Sequence, residues 1–403
     1  MKFLRRIKKT SLILFTLIAI ATAALILILH LQNSHSYHPP SPTATVPPSV
    51  YPSPATNSSN LRVRKSVVQL TSAEKTAFIQ ALKTLKNTIS PDSNLSVYDQ
   101  FVLQHVLTMG FQKRLGATGP AQGNPAHSQP AFLPWHRQFL WQFEQELQKI
   151  DPTVTIPYWD WTDTQALEAI LQPDFLGNSG QGVTVNISNQ SYTGGVVSSE
   201  IFTDWKLNEN IHFDPINMTS LGTKLLRFVG MPPCNQYPMS PSAVNQLLSI
   251  NNYEVFNALI EGALVLNNKN EYFEGWTLHA CAHSIIGGSI VDKDSPMRQT
   301  RILGTMDSIP SSPYDPIFWL NHANVDRLWA KWQDQGHTGE SFYPKSGVPF
   351  GHNLHDPMWP WDGGLSQPGN YGLGNIRSML KKTNVVVTPA DVLNYRKLGY
   401  GYE

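Results

Sequence analysis

The sequence predicts a mainly α-helical domain, a helical bundle core with long loops and few short strands. Three observations carry this. Apolar residues recur at helical spacing in five separate stretches, capping signals precede some of them, and the chain between is broken by Gly, Asn and Pro. The 403 residues are 41% apolar and 15% charged, with a net charge of +1. That balance excludes a disordered chain and gives no basic patch for nucleic acid. Two cysteines cannot build a thiolate-rich metal site, so the thirteen histidines are the remaining metal-capable group.

Taken in order, Lys2, Arg5, Arg6, Lys8 and Lys9 precede an uncharged apolar run over 11–31. At about 1.5 Å per residue that run spans a bilayer core. The basic flank predicts a cytoplasmic segment at 1–10 and a type II transmembrane signal-anchor at 11–31, with the remainder lumenal or extracellular. Ala21-Thr22-Ala23 offers the competing reading of a cleaved signal peptide and a secreted chain. Residues 32–65, rich in Pro, Ser and Thr, read as a stalk. Sequons at Asn57, Asn94, Asn186, Asn189 and Asn217 agree with lumenal exposure and a glycoprotein. The globular part starts near Arg62, with the catalytic domain over 66–403.

Thr71-Ser-Ala-Glu74 is a capping box ahead of Phe78, Ile79, Leu82 and Leu85. A second helix starts at Ser96 and places Phe101, Val102, His105 and Val106 on one face. A third begins at Pro134, with Phe139, Leu140, Phe143 and Leu147 as its stripe. Between about 172 and 270, long loops with scattered short elements are expected. Helical patterning returns at 276–286 and, most strongly, at 317–333.

His279 and His283 stand four apart on the fourth helix, so both imidazoles lie on one face, as two ligands of one metal require. No Glu follows His279, so the zinc-protease pattern His-Glu-x-x-His is absent. His322 lies on the strongest helix. His127 and His136 flank Ser-Gln-Pro-Ala-Phe-Leu-Pro-Trp, and His105 comes from the second helix. The six form two groups of three, each with two histidines close in sequence and a third from another helix.

On these residues the chain resembles the tyrosinase and catechol oxidase family, the type-3 copper proteins. Ala126-His-Ser-Gln-Pro-Ala-Phe-Leu-Pro-Trp-His-Arg-Gln-Phe-Leu140 is similar to the family's first copper motif. Ser312-Pro-Tyr-Asp-Pro-Ile-Phe-Trp-Leu-Asn-His-Ala-Asn-Val-Asp-Arg-Leu-Trp-Ala-Lys-Trp-Gln333 is similar to its second. Pro157-Tyr-Trp-Asp-Trp161, Gly304-Thr-Met306 and Tyr400-Gly-Tyr402 fit as well. The resemblance implies a dicopper centre in the helical bundle, with one copper on His105, His127 and His136 and the other on His279, His283 and His322. Imidazole suits copper in both its Cu2+ and Cu+ states. It further implies O2 as co-substrate, a small phenol as substrate, and Phe318 packed on the ligand rings. Asp326 is expected to accept a ligand N–H or to pair with Arg327 or Arg137. Ile309 is the candidate for narrowing the substrate entrance.

In the family, monophenol hydroxylation goes with a Glu shortly before the first histidine of the second copper and an Asn directly after it. Glu274 fits the first role, but Ala280 stands where the Asn would be. An alanine side chain forms no hydrogen bond. The expected reaction is therefore oxidation of o-diphenols, and of o-aminophenols, with weak or absent monophenol hydroxylation. The alternatives are a full tyrosinase and a non-catalytic haemocyanin-like oxygen carrier. Cys281 either pairs with Cys234 in an oxidising compartment or stays, like it, a buried thiol. No plug domain follows Tyr402 in this sequence, so an enzyme active once copper is loaded is expected.

Overall fold

The computed structural model describes residues 61–403 apart from 92, 188, 233, 235, 263, 267–271, 275, 276 and 292–299, with backbone alone at 264–266, 272–274, 291 and 300. The basic segment, the 11–31 anchor and the stalk to residue 60 lie outside the described residues. Among those described, no helix is long and apolar enough to cross a membrane.

Nine α-helices are described: α1 Ser72–Asn87, α2 Val97–Thr108, α3 Phe132–Ile150, α4 Ala166–Ile170, α5 Pro241–Leu248, α6 Tyr253–Glu261, α7 Leu278–Gly287, α8 Ile317–Asp334 and α9 Pro389–Val392. The strands are short: β1 Arg62–Arg64, β2 Gln181–Ile187, β3 Gln190–Val196, β4 Phe213–Asp214, β5 Thr219–Ser220, β6 Leu226–Arg227, β7 Leu264–Leu266, β8 Tyr272–Glu274, β9 Ser289–Val291, β10 Thr300–Ile302 and β11 Tyr400–Tyr402. Four of the sheets are two-stranded, and β2-β3-β6 forms a three-stranded one. The mainly helical reading therefore stands.

Local chemistry sets the helix starts. Thr71 and Glu74 close the expected capping box on α1, and Ser96 caps α2 by accepting from Asp99 N–H. Helix α3 begins at Phe132, two residues before Pro134. A proline in the first turn lacks only an N–H that would have no intrahelical partner there. The 172–270 stretch holds more order than its composition suggests. It contains the seven-residue strands β2 and β3, and two helices whose caps, Ser240 with Pro241 at the first position and Asn252, were readable from the sequence.

Helices α1, α2, α3 and α8 pack pairwise, and α7 lies against α6 and α8. At their junction Phe143 stacks flat on Trp319, with ring centroids 3.5 Å apart, and Tyr98 meets both edge-on. Burying a ring such as Phe143 contributes about 2–3 kcal/mol. The first and last described strands are tied together as well, since β1 pairs in parallel with β11. The paired strand starts at Arg62, where the sequence places the beginning of the globular part. Arg64 is fully buried, bonds Glu144 on α3 and Asp326 on α8, and so belongs to the domain. Asp326 also accepts from Arg137, Tyr400 and Tyr402. Burial raises its carboxyl pKa, but Arg137 and Arg64 outweigh that and leave it below the usual range.

Candidate metal centre

His105 is delivered by α2, His136 by α3, and His127 by the loop before α3. The ring-nitrogen ligand atoms of these three lie within 4.8 Å of one another. Asn124 shapes the loop, its Oδ1 accepting from the N–H groups of Ala126 and His127. His279 and His283 project from α7 and meet His322 of α8 in a second cluster of the same tightness. The clusters touch, for the rings of His136 and His322 stack at 4.2 Å and 14°. All six residues are buried.

What these nitrogens bond decides what they can hold. Nδ1 of His105, His136, His279 and His283 lies 2.8, 2.9, 3.0 and 2.7 Å from the carbonyl oxygens of Pro310, Phe132, Glu261 and Met306. A carbonyl only accepts, so each Nδ1 donates, and each Nε2 is left as a bare lone pair in the neutral ring. Nε2 of His105 and of His136 is buried with no partner among the described residues. Nε2 of His279 faces Nε2 of His283 at 2.9 Å, which sets one lone pair against another. Six convergent imidazoles, four of them tied outward through Nδ1, with buried ring nitrogens of His105, His127, His136 and His322 left without a partner among the described residues, fit two metal cations and leave a cost without them.

Electrostatics agree. Burial lowers every one of the six, His105 to about 3 and His283 to about 4, and mutual repulsion adds to the lowering at His127, His136, His279 and His322. The rings are neutral near pH 7, the form that binds metal.

The remaining expected residues divide. Phe318 packs on the ligand rings, 4.1 Å from His322 and 5.2 Å from His105 between centroids. Asp326 takes Arg137 rather than a ligand N–H, while Arg327 turns the other way and pairs with Asp160 at 2.6 Å. Arg327 is therefore corrected as a partner of Asp326. Successive helical residues diverge by about 100°, which sends it to the Pro157-Tyr-Trp-Asp-Trp161 run instead. Ile309 is half-exposed and directly precedes Pro310, whose carbonyl holds His105. Glu274 ends β8, and its side chain lies outside the described residues.

The structure brings in a residue that spacing did not reveal. Glu261, the last residue of α6, accepts from His279 Nδ1 through its carbonyl and from Ser128 N–H through its carboxylate, at 2.7 Å. It thus joins His279 of the second cluster to Ser128, the neighbour of His127, and burial pushes its carboxyl up to about 8. Gly262 behind it (φ +97°) signals the end of the helix, but nothing local marks Glu261 as part of a site. Cys234 and Cys281 form a disulfide, which settles the alternative left open by the sequence.

Comparison with known proteins bears on the same residues. Residues 95–335 match the family model described as the common central domain of tyrosinase. The tyrosinase of Streptomyces galbus is 31% identical over 306 residues, covering 75% of this chain and 94% of that protein. The tyrosinase of Streptomyces glaucescens is 30% identical over 305 residues, with 75% and 93% covered. Among solved structures, a point mutant of a polyphenol oxidase from Thermothelomyces thermophila superposes with a TM-score of 0.52. It is 19% identical and covers 85% of this chain and 88% of that one, a likeness of fold.

Proposed function

The chain belongs to the tyrosinase family, a copper-dependent oxidoreductase acting on phenols with O2, and from that premise we propose that it oxidises o-diphenols, and o-aminophenols with them, while hydroxylating monophenols weakly or not at all. Two bound copper ions would supply the redox chemistry, between Cu2+ and Cu+, for oxidation of a phenol by O2. The six histidines would hold them, three to each. Phe318 and Phe132 wall the rings with apolar surface and exclude water around them.

One observation carries the finer reading. Gly262 lies so close to α7 that a Cβ there would sit 2.1 Å from the Thr277 carbonyl and 2.9 Å from the Ala280 Cβ. Position 280 therefore faces the end of α6, where Glu261 is. A hydrogen-bonding side chain at 280 could hold a water against that carboxylate, and alanine holds none. A monophenol of pKa near 10 must lose its proton before it reacts, whereas a catechol carries a second hydroxyl and a lower oxidation cost.

The test compares oxygen uptake with a monophenol and with its matching catechol. Copper-loaded wild type should consume oxygen with the catechol and scarcely with the monophenol, and A280N should raise the monophenol rate about tenfold. Wild-type monophenol turnover as fast as catechol turnover, without a lag, overturns the reading. E261Q and E274Q then separate the two carboxylates. The one that accepts the phenol proton loses the A280N gain on substitution, and Glu261 is the one supported by its bonds to His279 and to Ser128 beside His127.

For localisation we propose a lumenal or extracellular domain tethered by residues 11–31. The basic flank and the Cys234–Cys281 pair support this. Retention in membranes after alkaline washing is expected, and release would show a cleaved segment.

A further inference from the structure

Helix α7 carries two of the six histidines and is the least self-sufficient helix at the centre. It has ten residues, Thr277 makes no side-chain capping bond, and no acidic residue stands in its first turn. Its first residue, Leu278, has φ +46°, a backbone conformation disfavoured for a side-chain-bearing residue. Helices this short are marginal on their own.

A neighbouring strap supplies what the helix lacks. Phe228 and Gly230 N–H donate to the carbonyls of Ile286 and Ile285, at 3.0 and 2.8 Å, and so satisfy the C-terminal turn. The strap runs back along α7 and ends at Cys234, bonded to Cys281 in the N-terminal half. Its other end is fixed, because Arg227 is fully buried and binds Asp315 through two hydrogen bonds and the Leu176 carbonyl through a third. Cys281 lies midway between His279 and His283 in sequence, about 200° around the helix from each. The disulfide therefore grips the back of α7 and takes no place among the metal-facing nitrogens.

We propose that the Cys234–Cys281 disulfide is a redox clamp on the second histidine cluster. Closed, it holds α7 at the pitch that brings His279 and His283 onto His322. Reduced, α7 frays and the second copper position is lost, while His105, His127 and His136 keep the first. A dithiol opens the clamp: the S–S bond breaks, two S–H bonds form, and the dithiol gives up two electrons and two protons as it closes to its own cyclic disulfide. Cys281 is only partly buried, which leaves a reductant a way in. The inference rests on the reading that the two clusters hold the two coppers.

Hydrogen exchange on the full copper-free chain, oxidised and dithiol-treated, reads the clamp without depending on activity. Amides of 278–287 should exchange about tenfold faster after reduction, with 97–108 and 132–150 unchanged. In a copper titration, the C234A/C281A variant should bind one copper per chain where the wild type binds two. Unchanged exchange in α7, equal loosening of α2 and α3, or two coppers held at wild-type affinity by the variant would each overturn the clamp. If the variant does not fold, the reduced wild type decides by the same exchange criteria. A wild type binding fewer than two coppers would overturn the copper reading instead, with the exchange result still deciding whether the disulfide holds α7.

Discussion

His105 and His136 stand on helices of 12 and 19 residues, one capped by Ser96 and the other locked by buried aromatic rings. His279 and His283 share a helix of ten residues that has no side-chain cap and depends on a strap and a disulfide. The donor sets are the same, three neutral imidazoles in each, yet one half is held by local helix chemistry and packing while the other is held by contacts from distant parts of the chain. Equivalent ligand sets therefore do not imply equivalent stability of the two sites.

Acid should treat the halves alike, and it is the largest effect expected. Among the described residues eight histidines are buried, the six of the centre with His212 and His352, and burial lowers all of them. Their folded pKa values lie below the unfolded one, so their stability is present above about pH 6.5 and is lost as pH falls below it, because the unfolded chain takes up protons that the folded chain refuses. Each contributes up to about 1.4 kcal/mol per pH unit. Copper-free protein should lose on the order of 5 kcal/mol or more between pH 6.5 and 5, read by urea unfolding, and bound copper should move the transition to lower pH. A flat profile over that range would mean the histidines are hydrated in solution.

Next in size is the bond between the halves. Asp326→Ala leaves the Arg64 and Arg137 guanidiniums buried without their shared carboxylate, which should cost about 3–5 kcal/mol. Because Asp326 is on α8 with His322 and Arg137 is on α3 with His136, copper affinity should fall at both positions. Loss at only one would show that the halves are not coupled through this network.

Phe318→Leu removes part of a ring lying against His322 and His105 and should cost about 1–2 kcal/mol, measured by thermal unfolding. Equal weakening of both copper positions is expected, since the ring touches both. Smallest of all, Ser96→Ala should cost about 1 kcal/mol through the lost cap of α2. Faster exchange confined to 97–108 would support a first half that depends on local helix chemistry.

The asymmetry also governed what could be read in advance. One capping box, the starts at Ser96 and Pro134 and 3.6-residue apolar stripes located α1, α2, α3 and α8 to within a few residues, and the two long motifs around His127 and His322 carried the metal reading. Ser240 and Asn252 were equally local signals, but in a stretch crowded with Gly, Asn and Pro they went unread. Glu261 could not have been found by spacing from His279, because β7, β8 and the residues between them separate the two and only folding returns the end of α6 to the start of α7. Asp326 illustrates a choice among partners: a carboxylate one turn beyond a ligand histidine was visible, but its preference for Arg137 over Arg327 or a ligand N–H depends on which helix packs opposite.

By itself the sequence determined the mainly helical class, the six histidines, the family, and the absence of a hydrogen-bonding side chain at position 280, because helix periodicity, capping and residue chemistry act within a few residues of one another. The tertiary structure alone decided that Glu261 joins His279 to the loop of His127, that Cys234 grips the back of α7, and that Arg64 belongs to the domain. Those outcomes join residues far apart in the chain, and such contacts are set by packing and by the need to satisfy buried polar groups, neither of which leaves a local pattern to read.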